Sequence, residues 1–242
     1  ERELTSYANF SVPLGHVLLP ENMKRVGYQT HMIGKWNIGH CNMAYMPYRR
    51  GFDTFLGYVT DGIGYTTHEP DNQATFTIEG ALTSNLRDFL EFNRGDRDAI
   101  NGSKYHTQYT TSVFNARAEA ILRGESSDAP LFMWIAHHGM HDNTGVLDVE
   151  TCILPTGDDD DTTLFDIAKT LEPTRFKFAC GLRAVDRGIG TIREALDNRP
   201  RDYVLAVISD NGGYACGAHC AGSNYPRRGQ KFLEFEGGVK VP

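Results

Sequence analysis

Four places in this 242-residue sequence hold side chains whose types suit one chemistry. Lys35 closes the run 30–36, and His141 follows the run 130–136. Asp210 and Asn211 close the run 204–209, and Lys231 sits in a glycine-bearing loop. A carboxylate followed by a carboxamide offers hard oxygen donors, which suit calcium or magnesium. A metal and two lysines would neutralise charge developing on an anionic oxyester, and a histidine would move a proton. The opposing reading is four unrelated surface residues, with Asp-Asn-Gly as ordinary turn chemistry closing a strand.

The elements that must position these residues are legible as patterns. Residues 204–208 are β-branched and aliphatic throughout, which reads as a strand buried on both faces. Residues 130–136 read the same way, and 30–36 read as a strand leading into a loop. Gly212 and Gly213 would let the backbone turn sharply and approach a ligand closely. A short helix starts at Leu19, with Pro20 near its first position and Gly27 ending it. A second covers 109–122, with Val113, Ala116, Ala120 and Ile121 at helical spacing. The longest covers 173–197, where Phe178, Leu182, Val185, Ile189, Ile192 and Leu196 form one apolar stripe. Strands alternating with helices predict an α/β fold, a mostly parallel central sheet flanked by helices. Ligands of such sheets bind off the carboxyl ends of the strands, where Lys35, His141 and Asp210 fall. The four places are therefore expected to converge on one pocket. Residues 37–51 read as a basic loop whose Arg49 and Arg50 are solvated or anchor Asp53. Residues 58–104 read as irregular, with short strands, one near 74–78, and as the region that selects a substrate.

Composition excludes some partners. Acidic residues outnumber basic ones, and the net charge of −7 argues against nucleic acid. No apolar run reaches the length of a membrane span. The chain opens at Glu1 with no signal peptide and closes on what reads as the start of another strand, so both ends are expected to be truncated. Five cysteines are an odd count. Cys180 reads as a small buried hydrophobe in a helix. Cys216, His219 and Cys220 read as half a zinc site, a short-loop disulfide, or neither. His137, His138 and His141 admit a zinc reading, but adjacent residues on a strand point apart, which favours one functional histidine. The acidic run 158–161 reads as a solvated loop. Asn9 and Asn101 begin N-glycosylation sequons, meaningful in a secretory chain.

Longer segments resemble a known family. Residues 27–36, Gly-Tyr-Gln-Thr-His-Met-Ile-Gly-Lys-Trp, resemble the Gly-Tyr-x-Thr-x-x-x-Gly-Lys-Trp-His segment of the sulfatases. Residues 49–57 resemble their Arg-Gly-Phe-Asp segment, and 209–213 match their Asp-Asn-Gly metal motif. Residues 224–231 and 236–239 resemble their Pro-x-Arg-Gly-x-Lys and Glu-Gly-Gly elements. The flavour is that of arylsulfatase B and its relatives. The resemblance implies an alkaline phosphatase-like fold and a sulfuric ester hydrolase dependent on Ca2+. It implies Asp210 and Asn211 as metal ligands, Lys35 and Lys231 on the sulfate, and His141 assisting the leaving group. The expected substrate is a sulfated small molecule or sulfated glycan, and the expected location lysosomal or secreted.

Two departures stand out. No cysteine begins the family's Cys-x-Pro-Ser-Arg motif, the source of its formylglycine nucleophile. Residues 1–242 are therefore expected to be a partial catalytic domain, inactive alone. Asn37 stands where the family has histidine, and asparagine cannot shuttle a proton near neutral pH. His40, three residues on, is either a stand-in or an exposed loop residue. Asp142-Asn143 also replaces the family's x-Pro pair. Asn37 keeps open a catalytically impaired, sulfated-glycan-binding protein. A phosphodiesterase of the same superfamily is a further alternative, which would be expected to use two metals with more Asp and His ligands.

Overall fold

The segment before Lys35 forms strand β1 (Gln29–Lys35) in a computed structural model, preceded by helix α1 (Leu19–Arg25), and buries the polar Thr30 and His31 beside Met32 and Ile33. The structure describes residues 11–70, 77–78, 81–82, 87–124, 129–141, 173–215 and 222–241. β1 is the middle of three parallel strands, between β2 (Thr54–Tyr58) and β7 (Leu131–Ala136). The short antiparallel strands β5 (Leu90–Phe92) and β6 (Ile100–Asn101) extend the sheet beyond β2. A separate hairpin pairs β3 (Thr77–Ile78) with β4 (Ala81–Leu82). The sheet is thus mixed, with a parallel centre and antiparallel strands at one side, and the α/β class stands.

Both faces of β1 and β2 are buried, so adjacent residues such as Met32-Ile33 and Phe55-Leu56 are both apolar, and the polar Thr30 and His31 find partners in the Gly51 carbonyl and the Thr54 hydroxyl. Ile33 and Leu56 join Phe89, Phe114, Ile121 and Ile192 in one apolar cluster. Their neighbours Met32 and Phe55 join Trp36, Tyr48, Phe52 and Val59 in another. Successive strand residues thus feed opposite layers, as a period of two requires. Helix α2 (Thr110–Gly124) supplies Phe114 and Ile121. Helix α3 (Pro173–Asp197) supplies Ile192 and Ala195. A short helix, α4 (Glu236–Val239), closes the chain.

The chain divides into two units. One comprises Glu1–His138 with Arg187–Arg201, and the other Gly139–Asp186 with Asp202–Pro242. Every strand of the sheet belongs to the first.

Several expectations need correction. Residues 204–208 form no strand, and Val204 is 97% exposed. Hydrophobicity alone does not make a strand, which needs a neighbour for its backbone N–H and C=O groups. Residues 54–58, not read as a strand, form one on which all five residues are buried. The stripe on α3 holds in part: Ile192 is buried and Leu196 packs on the core, but Leu182 is exposed, and Phe176, Cys180, Gly181, Gly188 and Ala195 are buried as well. Small residues face inward because α2 comes close, and a Cβ at Gly188 would collide with the Asn115 side chain. Cys180 is disulfide-bonded rather than a free hydrophobe. Arg50 is buried and anchors Glu21 at 3.1 Å, while Asp53 is held by Lys24 at 2.8 Å. Asn9, Cys152, residues 142–143 and 158–161, and the Cys216–Cys220 cluster lie outside the described residues.

His137 follows β7 and packs toward Phe114, ring centroids 6.5 Å apart. Among the described residues neither ring nitrogen has a hydrogen-bond partner, and burial lowers its pKa to about 4. The folded state thus keeps it neutral, while the unfolded chain takes up a proton near pH 6.5. Its contribution is complete above pH 6.5 and is lost as pH falls toward 4, by up to about 3 kcal/mol. Urea unfolding at stepped pH should show this fall, and His137→Leu should flatten it.

Candidate functional site

The first candidate residue depends on a close approach of three backbones. Gly34, just before Lys35, has φ 98°. A Cβ there would strike the carbonyl of Ala136 on β7, and one at Gly57 would strike the carbonyl of Gly34. Glycines at both positions let β2, β1 and β7 close up where they end. The register sets Lys35 beside Tyr58 at that carboxyl edge, where Lys35 is half-buried.

Trp36 then fixes the loop beyond the strand. Its backbone N–H donates to Tyr58 O at 2.9 Å. Its indole N–H donates to Gly39 O at 3.0 Å and Tyr45 O at 3.1 Å. The loop carrying Asn37 and His40 is therefore pinned rather than loose. Asn37 adopts φ 40°, a left-handed conformation that asparagine tolerates better than most residues. His40 is half-buried, contrary to the exposed reading. Beside it, Asp88 accepts from the N–H groups of Val59 at 2.9 Å and Thr60 at 2.8 Å. Burial raises the Asp88 pKa, against those bonds and the charge of His40. No pattern in the sequence singles out Asp88, because its partners are backbone groups.

The histidines after β7 do different work. His138 is buried, stacked on Tyr65 at 4.0 Å, with Nδ1 3.1 Å from the Thr110 hydroxyl. His137 enters the core. These two engagements leave the three-histidine zinc reading without support. His141 is half-buried and follows Met140 at φ 78°. It belongs to the second unit, as do Asp210, Asn211 and Lys231, whereas Lys35 and Asn37 belong to the first.

In the second unit three sequence motifs meet at Gly213. Its N–H donates to Asn224 Oδ1 at 2.7 Å. Its carbonyl accepts from Asn224 Nδ2 at 2.7 Å and from the Lys231 N–H at 3.2 Å. Asn224 Nδ2 also reaches Gly229 O at 3.2 Å. Gly212 N–H donates to Gly238 O at 2.9 Å. A Cβ on Gly212 would collide with the carbonyl of Gly237. The glycine pair after Asp210-Asn211 therefore approaches the Glu-Gly-Gly backbone, where the sequence reading had a ligand. The arrangement brings Asp210, Asn211 and half-buried Lys231 into one hydrogen-bonded frame. Asn224, the side chain that ties it, was not singled out as a site residue; its Asn-x-Pro setting in a turn was the available signal.

The donor set fits a hard cation. Asn211 turns its Nδ2 to Gly212 O at 3.0 Å, which leaves the carboxamide oxygen as the ligand end. Asp210 is exposed and adds a carboxylate. Calcium takes about six to eight oxygens. Among the described residues no group of three or more His, Cys, Asp or Glu side chains is assembled for a metal. No described helix is long and apolar enough to cross a membrane.

Comparison with known proteins adds a family. A sequence model described as Sulfatase matches residues 3–242. Arylsulfatase J of Mus musculus is 28% identical over 233 residues, covering 95% of this chain and 34% of that protein. N-acetylgalactosamine-6-sulfatase of Homo sapiens is 26% identical over 234 residues, covering 96% of this chain and 39% of that protein. The chain thus spans well under half the length of these curated relatives. Among solved structures, Ps i-CgsB in complex with k-i-k-neocarrahexaose aligns with a TM-score of 0.73 at 23% identity. That match covers 98% of this chain and 49% of the other. PsFucS1 sulfatase from Pseudoalteromonas sp. aligns with a TM-score of 0.54 at 18% identity, over 92% of this chain and 43% of that one. The fold is the alkaline phosphatase-like one that the sequence resemblance implied.

The frame around Gly213 makes a prediction of its own. Asn224→Ala removes three hydrogen bonds, each worth about 1 kcal/mol net. Hydrogen exchange at the Gly213 and Lys231 amides should accelerate by at least about tenfold, with helix α2 amides unchanged. Unchanged exchange at both glycine-loop amides would show that Asn224 does not hold the frame.

Proposed function

Because this chain belongs to the sulfatase family, we propose that it forms the greater part of a site that hydrolyses a sulfate ester. The observation that supports this most is the frame tying Asp210 and Asn211 to Lys231 through Gly213. In this reading Lys231 and Lys35 bind the sulfate oxygens, each lysine offering a compact charge with three donors. His141 carries the proton to the leaving oxygen. Asp210 and Asn211 would hold calcium, which when bound would supply positive charge against the ester. The nucleophile of this chemistry is a formylglycine from a cysteine motif that these 242 residues do not contain, so the full-length protein has to supply it. The substrate is a sulfated small molecule or glycan. A secretory location, lysosomal or extracellular, is supported by the Cys180 disulfide and by exposed Asn101 in its sequon. Glycosylation at Asn101 and Asn9 belongs to the same proposal.

Asn37 favours a second reading, a protein that binds sulfated glycans with impaired turnover. One experiment separates the two. In the full-length protein, Asn37→His should raise kcat on 4-nitrophenyl sulfate by at least about tenfold with little change in KM, since the gain lies in the transition state. A large loss in His40→Ala would identify His40, beside Asp88, as the stand-in. No turnover by either the Asn or the His form, with sulfated-saccharide binding retained, would support the impaired reading.

A further inference from the structure

A cleft of about 360 Å³ lies at the opposite edge of the sheet from Lys35, lined by Glu21, Lys24, Arg25, Tyr48, Arg49 and Gly51. Its walls are the last turn of α1 and the 3-10 turn Pro47–Arg49, which precede the amino ends of β1 and β2. β1 has seven residues, so the two edges are roughly 20 Å apart. Three cations line the cleft against one carboxylate, and the charge of that carboxylate is already held by buried Arg50. This is a local reversal in a chain of net charge −7.

The two arginines are available for exchange. Arg25 bonds the neutral Asn22 Oδ1 at 3.2 Å. Arg49 meets Asp98 at 3.4 Å, with both side chains about half exposed (50% and 52%). Lys24 meets Asp53 at 2.8 Å and is itself 51% exposed. The Arg49–Asp98 pair is exposed and holds weakly, so an incoming anion can replace Asp98 at small cost, whereas Lys24 stays with the mostly buried Asp53 (16% exposed) and contributes charge alone. Guanidinium groups match the oxygens of a sulfate monoester in bidentate geometry. The cleft is open and sized for one sugar unit rather than for an extended peptide.

We propose that this cleft is a second anion site, which binds a sulfate group of a saccharide chain away from the site of hydrolysis. The proposal deepens the sulfate-ester reading: it makes the substrate a polymeric sulfated glycan, held at two places. Arg25 and Arg49 are the main contacts, with Lys24 adding charge. Long-range attraction at this edge offsets the repulsion that the acidic remainder of the chain exerts on a polyanion.

The test uses the full-length protein and the Arg25→Glu/Arg49→Glu variant, with Arg25→Gln/Arg49→Gln as the milder pair should charge reversal disturb folding. Calorimetry with size-defined dextran sulfate measures the cleft, and turnover of 4-nitrophenyl sulfate measures the hydrolytic site. The affinity for dextran sulfate should fall at least about tenfold in both variants, and the kinetics on the aryl sulfate should not change. Unchanged affinity for dextran sulfate would overturn the proposal, whether or not the aryl sulfate is cleaved. Affinity lost in a protein that never cleaves the aryl sulfate would uphold the cleft and sink the hydrolase reading instead. Vesicles of phosphatidylserine bound as tightly as dextran sulfate through the same arginines would overturn the assignment to a saccharide.

Discussion

Close backbone contact at Gly34 is the constraint on which the carboxyl edge depends. A side chain there would meet the Ala136 carbonyl, and one at Gly57 would meet the Gly34 carbonyl. With glycine at both, three parallel strands end in register, and Lys35 emerges beside Tyr58 rather than behind a bulky neighbour. Trp36 carries the order outward. Its indole bridges two carbonyls of the adjoining loop, so Asn37 and His40 inherit positions from the sheet. The Gly-Lys-Trp triplet is thus a device: permit approach, present a cation, pin a loop.

The second unit solves a similar problem, and among its described residues it does so without a sheet. Its glycines at 212, 237 and 238 let three turns pack backbone to backbone. The Asn224 amide then pairs with the Gly213 peptide as a strand neighbour would. Side-chain amides carry one donor end and one acceptor end, so only asparagine or glutamine makes this two-way pairing. The outcome is that Asp210, Asn211 and Lys231, distant in sequence, share one frame. The division into two units separates these residues from Lys35, and the proposed function depends on all of them serving one ester.

Much of this was legible in the sequence. β7 was legible as a continuous apolar run, although it ends the described sheet order with Trp134 exposed, and β1 was legible from Met32-Ile33 and the Gly-Lys-Trp that follows, although it also buries the polar Thr30 and His31. The motif residues were found by type and order. What was not legible has a physical cause in each case. The stretch 204–208 has a strand's composition, but no strand forms where no ladder partner is made. On α3 the stripe held at Ile192 and Leu196 and failed at Leu182, and close helix packing at Gly188 selects a small residue that a bulky stripe does not announce. The sequence left His40 open between a stand-in and an exposed loop residue, because the Trp36 indole pins its loop at Gly39 and Tyr45 through contacts that no local pattern encodes. Asp88 and the basic cleft draw their partners from segments far apart in sequence, so spacing offered no signal for either.

The central claim is that the two lysines act on one sulfate group. A crystal structure of the full-length protein with inorganic sulfate tests it most directly. The account predicts a single sulfate with Lys35 Nζ and Lys231 Nζ both about 3 Å from its oxygens, beside a cation on Asp210 and Asn211. Two lysines holding separate anions, or a sulfate bound by neither, would contradict it.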